Sequence, residues 1–158
     1  MKRPLPELVL AACAAACAIG AALAPQPASA STAATAITVE HGWVRWLPAG
    51  LPAAGYVVIR NGGGKPLELT GADSADYGMA MLHRSMRKDG KDTMQRVDAI
   101  AVPAHGSVAL SPGGYHLMLM NPKHAIAPGD SVHLSLHFSD GETLQATWPV
   151  RPANASGG

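Results

Sequence analysis

From position 37 onward the chain is a succession of short runs rich in β-branched and alternating apolar residues, separated by clusters of glycine, proline and aspartate. No segment carries the 3.6-residue periodicity of an amphipathic helix, so the pattern predicts an all-β protein. Strands are expected over 37–46, 55–61, 67–71, 78–86, 93–97, 107–110, 116–120, 131–138 and 143–150. Between them stand Asn61-Gly62-Gly63-Gly64, Asp89-Gly90, Pro112-Gly113-Gly114, Pro128-Gly129-Asp130 and Asp140-Gly141. These residues form turns because glycine reaches positive φ and proline presets its own. Short strands at this spacing predict a Greek-key β-sandwich or barrel.

Residues 1–30 read as a secretory signal: basic Lys2 and Arg3, an alanine-rich run from Leu8 to Leu23, and a small-residue site ending at Ala30. Cleavage there removes Cys13 and Cys17, the two cysteines of the chain, and leaves a mature protein without disulfides or thiolate metal sites. A lipoprotein box at Leu10-Ala11-Ala12-Cys13 is the lesser alternative, because the apolar run before Cys13 is short and continues past it. No later stretch approaches the roughly 20 apolar residues of a membrane span. After removal of the signal, 31–36 are expected to be a flexible leader, 37–150 one folded domain, and 151–158 a disordered tail. The expected location is the periplasm. A net charge of +1 with 15% charged residues speaks against nucleic acid as a partner.

Within this cysteine-free domain, His83, Met94, His116 and Met118 supply two imidazoles and two thioethers. Thioether sulfur is a soft, neutral donor that suits Cu(I) and offers little to zinc, magnesium or calcium, so the set points to copper. On a strand, His116 and Met118 project to one face while Leu117 and Leu119 take the other. His83 and Met94 flank Asp89-Gly90 as the arms of a hairpin would. Three backbone segments would then meet at one ion.

The spacing His83-x10-Met94-x21-His116-x-Met118, together with Pro112-Gly113-Gly114-Tyr115 and Gly129-Asp130-x-Val132, resembles the periplasmic copper chaperones of the PCu(A)C type. The resemblance extends to Trp43, Gly55-Tyr56, Arg60-Asn61 and Val102-Pro103, and covers nearly the whole domain. It implies a cupredoxin-like fold, Cu(I) held by those four residues, and delivery to a copper acceptor such as the CuA centre of cytochrome c oxidase subunit II, alongside a Sco-type protein. The chain is expected to be a monomeric carrier and not an enzyme. His105 departs from the pattern, where a second glycine is usual.

The remaining methionines and histidines carry less weight. Met79 and Met81 share the face of His83 on a regular strand, where they either line the approach to the metal or fill the sandwich core; Met79 is read as core, and Met120 is read as structural as well. Met86 is either an auxiliary thioether or a plain surface methionine, the second being the stronger reading. His133 and His137 alternate with Val132, Leu134, Leu136 and Phe138, which places them on the wet face of a strand. His41, His105 and His124 are read as solvated. Other function classes are less well supported: a blue-copper carrier needs a thiolate, and no catalytic constellation stands out. General copper buffering, or a β-sandwich interaction module with methionines in its core, remain as alternatives.

Overall fold

The structure, a computed structural model, describes residues 36–48 and 50–156. The expected signal peptide and all but the last residue of the leader lie outside the described residues. The ten strands are β1 (Ile37–Arg45), β2 (Ala53–Asn61), β3 (Leu67–Ser74), β4 (Tyr77–Lys88), β5 (Lys91–Arg96), β6 (Ile100–Val102), β7 (Gly106–Leu110), β8 (Tyr115–Pro122), β9 (Ser131–Phe138) and β10 (Thr143–Arg151). No helix occurs among the described residues. Nine of the strands are those expected from the alternation. β6 was not expected, because three residues are too few to display a period of two.

The strands form one ladder in the order β5-β4-β8-β7-β2-β1-β10-β9-β3-β6, with β8 also paired to β2. Most pairings are antiparallel, but β1 joins β10 in parallel through Val44↔Val150 and Arg45↔Arg151. The ladder folds over so that its two halves face each other. Val44, Val57, Ile59, Leu82, Leu117 and Leu119 from one half share a single core with Leu69, Val132, Leu134, Leu136, Phe138 and Trp148 from the other. Burial of these apolar side chains is the main favourable term in folding.

Two glycines leave room for a large side chain. A Cβ on Gly42 would lie 2.4 Å from Nε1 of Trp148, and one on Gly55 would lie 3.1 Å from the same indole and 3.2 Å from Leu117. Trp148 therefore fills the space that two glycines leave. Asn61 closes the far end, its amide donating to the carbonyl oxygens of Lys65 (2.8 Å) and Val102 (3.4 Å).

The β4–β5 hairpin turns through Asp89 and Gly90, at φ of 51° and 75°. Positive φ at both central residues matches the type I′ turn, whose twist suits a two-residue hairpin. His105 also has a positive φ, 51°. That left-handed backbone explains why glycine suits position 105, and histidine tolerates it at modest cost. β10 runs through Arg151, one residue beyond the expected strand, where the Arg151 carbonyl accepts from the amide of Trp46 at 2.9 Å.

Candidate metal centre

Because Leu82, Leu117 and Leu119 point into the core, the alternate residues of β4 and β8 point outward. Register then decides which of them meet. His83 lies directly opposite His116, Met81 opposite Met118, and Met79 opposite Met120. On the other side of β4, Arg96 of β5 lies opposite His83, and Met94 lies opposite Ser85. The four expected donors thus share one outward face over three adjacent strands. His83 is central, His116 is its direct neighbour, and Met118 and Met94 sit diagonally on either side. Diagonal neighbours lie about 7–8 Å apart, within reach of long side chains.

The two imidazoles meet edge to face with ring centroids 5.9 Å apart. His116 is only 5% exposed although it is on the outer face. Its cover is aromatic: the Tyr56 ring lies 6.5 Å from it, and Trp43 lies 4.8 Å beyond Tyr56. Both Trp43 and Tyr56 are buried yet stand outside the main core cluster. The guanidinium of Arg45 lies over the Tyr56 ring at 5.1 Å and donates to its hydroxyl. Arg151 covers Trp43 at 5.4 Å. One flank of the site is therefore rigid and dry, whereas the opposite flank, Met94, is 66% exposed.

The ring nitrogens are differentiated. Nδ1 of His116 lies 3.3 Å from the Gly114 carbonyl oxygen, to which it donates as N–H. That tautomer leaves the Nε2 lone pair free, the arrangement found in metal-ligating histidines whose other nitrogen is tied to a carbonyl. Nδ1 of His83 is buried and has no hydrogen-bond partner among the described residues. A buried polar atom without a partner costs about 1–3 kcal/mol and calls for an explanation. An ion that accepts its lone pair is one.

Both imidazoles are held below their usual pKa, His83 by burial and then by Arg96, His116 by burial and then by His83 and Arg45, against the raising effect of Gly114. They remain neutral, and competent as donors, at pH values where a free histidine is partly protonated. Among the described residues no three side chains of His, Cys, Asp and Glu converge. A harder, carboxylate-based cage is not built here. The donor set fits a soft monovalent ion such as Cu(I).

The other expectations fall out differently. Met79 is not core: it is 44% exposed. Regular alternation places Met79 on the outward face with Met81 and His83; only beyond it, where Asn121 has a left-handed φ of 56°, does the pattern break and Tyr77 pack into the core. Met86 lies opposite Thr93, on the face of the hairpin away from Met94, and is exposed. His133 and His137 are on the wet side of β9, as expected, where each bonds a carboxylate, Asp76 and Asp73 respectively. His124 also bonds Asp76, at 2.9 Å. Sequence reasoning missed Arg45, Tyr56 and Arg96 as neighbours of the site, since only register across strands brings them there.

A family model described as "Putative lipoprotein LpqE-like" matches residues 37–150. A putative lipoprotein of Leifsonia xyli subsp. xyli is 34% identical over 129 residues, which is 79% of this chain and 77% of the relative. Among solved structures, the copper-bound PCuAC domain from PmoF2 superposes with a TM-score of 0.62 and 26% identity, covering 74% of this chain and 93% of that domain. The Cu(I) form of DR1885 from Deinococcus radiodurans gives a TM-score of 0.59 and 26% identity, covering 81% of this chain and 84% of that one. The fold expected from the resemblance is therefore the one observed.

Proposed function

The chain belongs to the LpqE-like family and has the PCuAC fold, and from that premise we propose that it is an exported carrier of Cu(I), with His83, Met94, His116 and Met118 as ligands. The observation that carries this reading is the buried Nδ1 of His83, without a partner among the described residues, beside His116 and with thioethers on both diagonals. Copper on the PmoF2 domain and on DR1885 supports it. The ion is cargo. His116, fixed by Gly114 and roofed by Tyr56, forms the rigid side of the site; exposed Met94, on an edge strand, is the ligand an acceptor displaces first. Thioethers need no deprotonation and form no disulfides, so the site keeps its donors in an oxidising compartment.

The acceptor we propose is the CuA centre of cytochrome c oxidase subunit II, approached alongside a Sco-type protein. The β4–β5 hairpin that bears Met94 exposes Arg84, Arg87, Lys88, Lys91 and Arg96 against only Asp89 and Asp92, in a chain whose net charge is +1. Such a local excess of positive charge favours encounter with an acidic surface. General periplasmic copper buffering uses the same ligands without an acceptor. Export itself is supported by the lipoprotein relatives, with lipid attachment at Cys13 or cleavage after Ala30 as the two routes.

The test is a competition titration of the protein from Ser31 onward with Cu(I), beside a His116→Ala, Met118→Ala variant. One tight equivalent lost in the variant, with the β fold intact by circular dichroism, is the expected result. Undiminished tight binding in the variant refutes the ligand set.

A further inference from the structure

The outer face of β4 and β8 carries more thioether than the four proposed ligands use. Beyond the His83–His116 pair the register continues with Met81 opposite Met118 and Met79 opposite Met120. Directly opposed side chains start about 5 Å apart at Cβ, and alternate residues along a strand about 7 Å apart. Unbranched thioethers with three rotatable bonds converge readily from such positions.

The core does not require these methionines. Leu82, Leu117 and Leu119, on the opposite face of the same strands, fill it. Met79 is 44% exposed, and Met81, Met118 and Met120 are only partly buried. A sheet face turned away from the core is ordinarily polar. Here four cross-strand positions in succession carry the one apolar side chain that is also a soft donor.

We propose that Met79, Met81 and Met120 form a second Cu(I) site, made of thioethers alone and contiguous with the first through Met118. The identity of the metal rests on the function proposed above. Three neutral sulfurs suit a soft monovalent ion and offer nothing to a divalent hard one. Met118, shared along the face, lets an ion pass between the two sites by exchange of one ligand at a time, with no change in oxidation state. The imidazole site holds the ion, and the thioether site takes it up from, or returns it to, solvent.

The experiment is a Cu(I) titration, under reducing conditions, of the protein from Ser31 onward, of a His83→Ala, His116→Ala variant, and of a Met79→Leu, Met120→Leu variant. Leucine keeps volume and apolarity on a solvent-side face, so the fold is retained, which circular dichroism verifies. The parent is expected to bind two equivalents, the histidine variant one, and the leucine variant one. X-ray absorption of the histidine variant should show sulfur scatterers without imidazole. A parent that binds one equivalent, all of it lost in the histidine variant, overturns the second site while leaving the proposed function intact. A second equivalent that survives in the leucine variant also overturns it. A histidine variant that still binds both equivalents overturns the first site and not this one.

Discussion

Adjacent residues of β8 face opposite environments, so two single substitutions there separate packing from ligation. Leu117 is fully buried in the core, whereas Met118, its neighbour, is partly buried on the outer face. Leu117→Ala opens a cavity beside Gly55 and Leu82 in the core, and should cost about 3 kcal/mol. For a domain of this size that lowers the apo melting temperature by roughly 10 °C. Met118→Leu conserves volume, so its cost should stay below about 1.5 kcal/mol. It removes a donor atom, and Cu(I) affinity should fall by more than the ~10–100-fold that loss of a group supporting a ligand costs. The assays are thermal unfolding of the apo protein and competition titration with Cu(I). If Met118→Leu binds Cu(I) as tightly as the parent, Met118 is packing and the site assignment fails. If it unfolds as early as Leu117→Ala, the two faces have been assigned wrongly.

Because burial holds His83 and His116 below the usual value near 6.5, Cu(I) affinity should be level from about pH 8 to about 6.5 and decline only below that, as protons begin to compete for the imidazoles; a decline already evident between about pH 8 and 7 contradicts neutral, buried histidines. The same shifts mean that the unfolded chain takes up protons first, so apo stability in urea should fall as pH drops below about 6.5. Gly42→Ala forces a Cβ against the buried Trp148 indole and should destabilise by about 1–3 kcal/mol, read as a lower urea midpoint; an unchanged midpoint means the indole moves freely. Lys88→Glu with Lys91→Glu should slow transfer to an acidic acceptor and weaken its dependence on salt while leaving Cu(I) affinity alone; an unchanged transfer rate removes the hairpin from the encounter. The mass of the N-terminus of the exported protein distinguishes a chain starting at Ser31 from one lipidated at Cys13.

Much of the site was legible because a strand has a period of two. The pairing of His116 with Met118, and their separation from Leu117 and Leu119, follow from alternation alone, and the Asp89-Gly90 turn announced the hairpin that carries His83 and Met94. Alternation fails where the backbone is irregular or an element is short. Asn121 breaks the pattern beyond the Met79–Met120 pair, where Tyr77 turns into the core, and β6 has only three residues. His105 looked like a departure from a motif, and its left-handed φ supplies the conformational reason that no pattern of hydrophobicity contains.

The sequence by itself determined the all-β class, most of the strands, the chemistry of the donor set and its softness, since these depend on residue type and on contacts local in the chain. Which face of β8 turns inward was decided only in the tertiary structure. Both faces are apolar, leucine on one and methionine on the other, so hydrophobic patterning cannot choose between them. The choice comes from the second half of the ladder, whose Val132, Leu134, Leu136 and Trp148 close over Leu82, Leu117 and Leu119 and leave the thioethers outside. Register across β5, β4 and β8, which sets His83 between His116 and Arg96, is likewise a property of paired strands and of no single one.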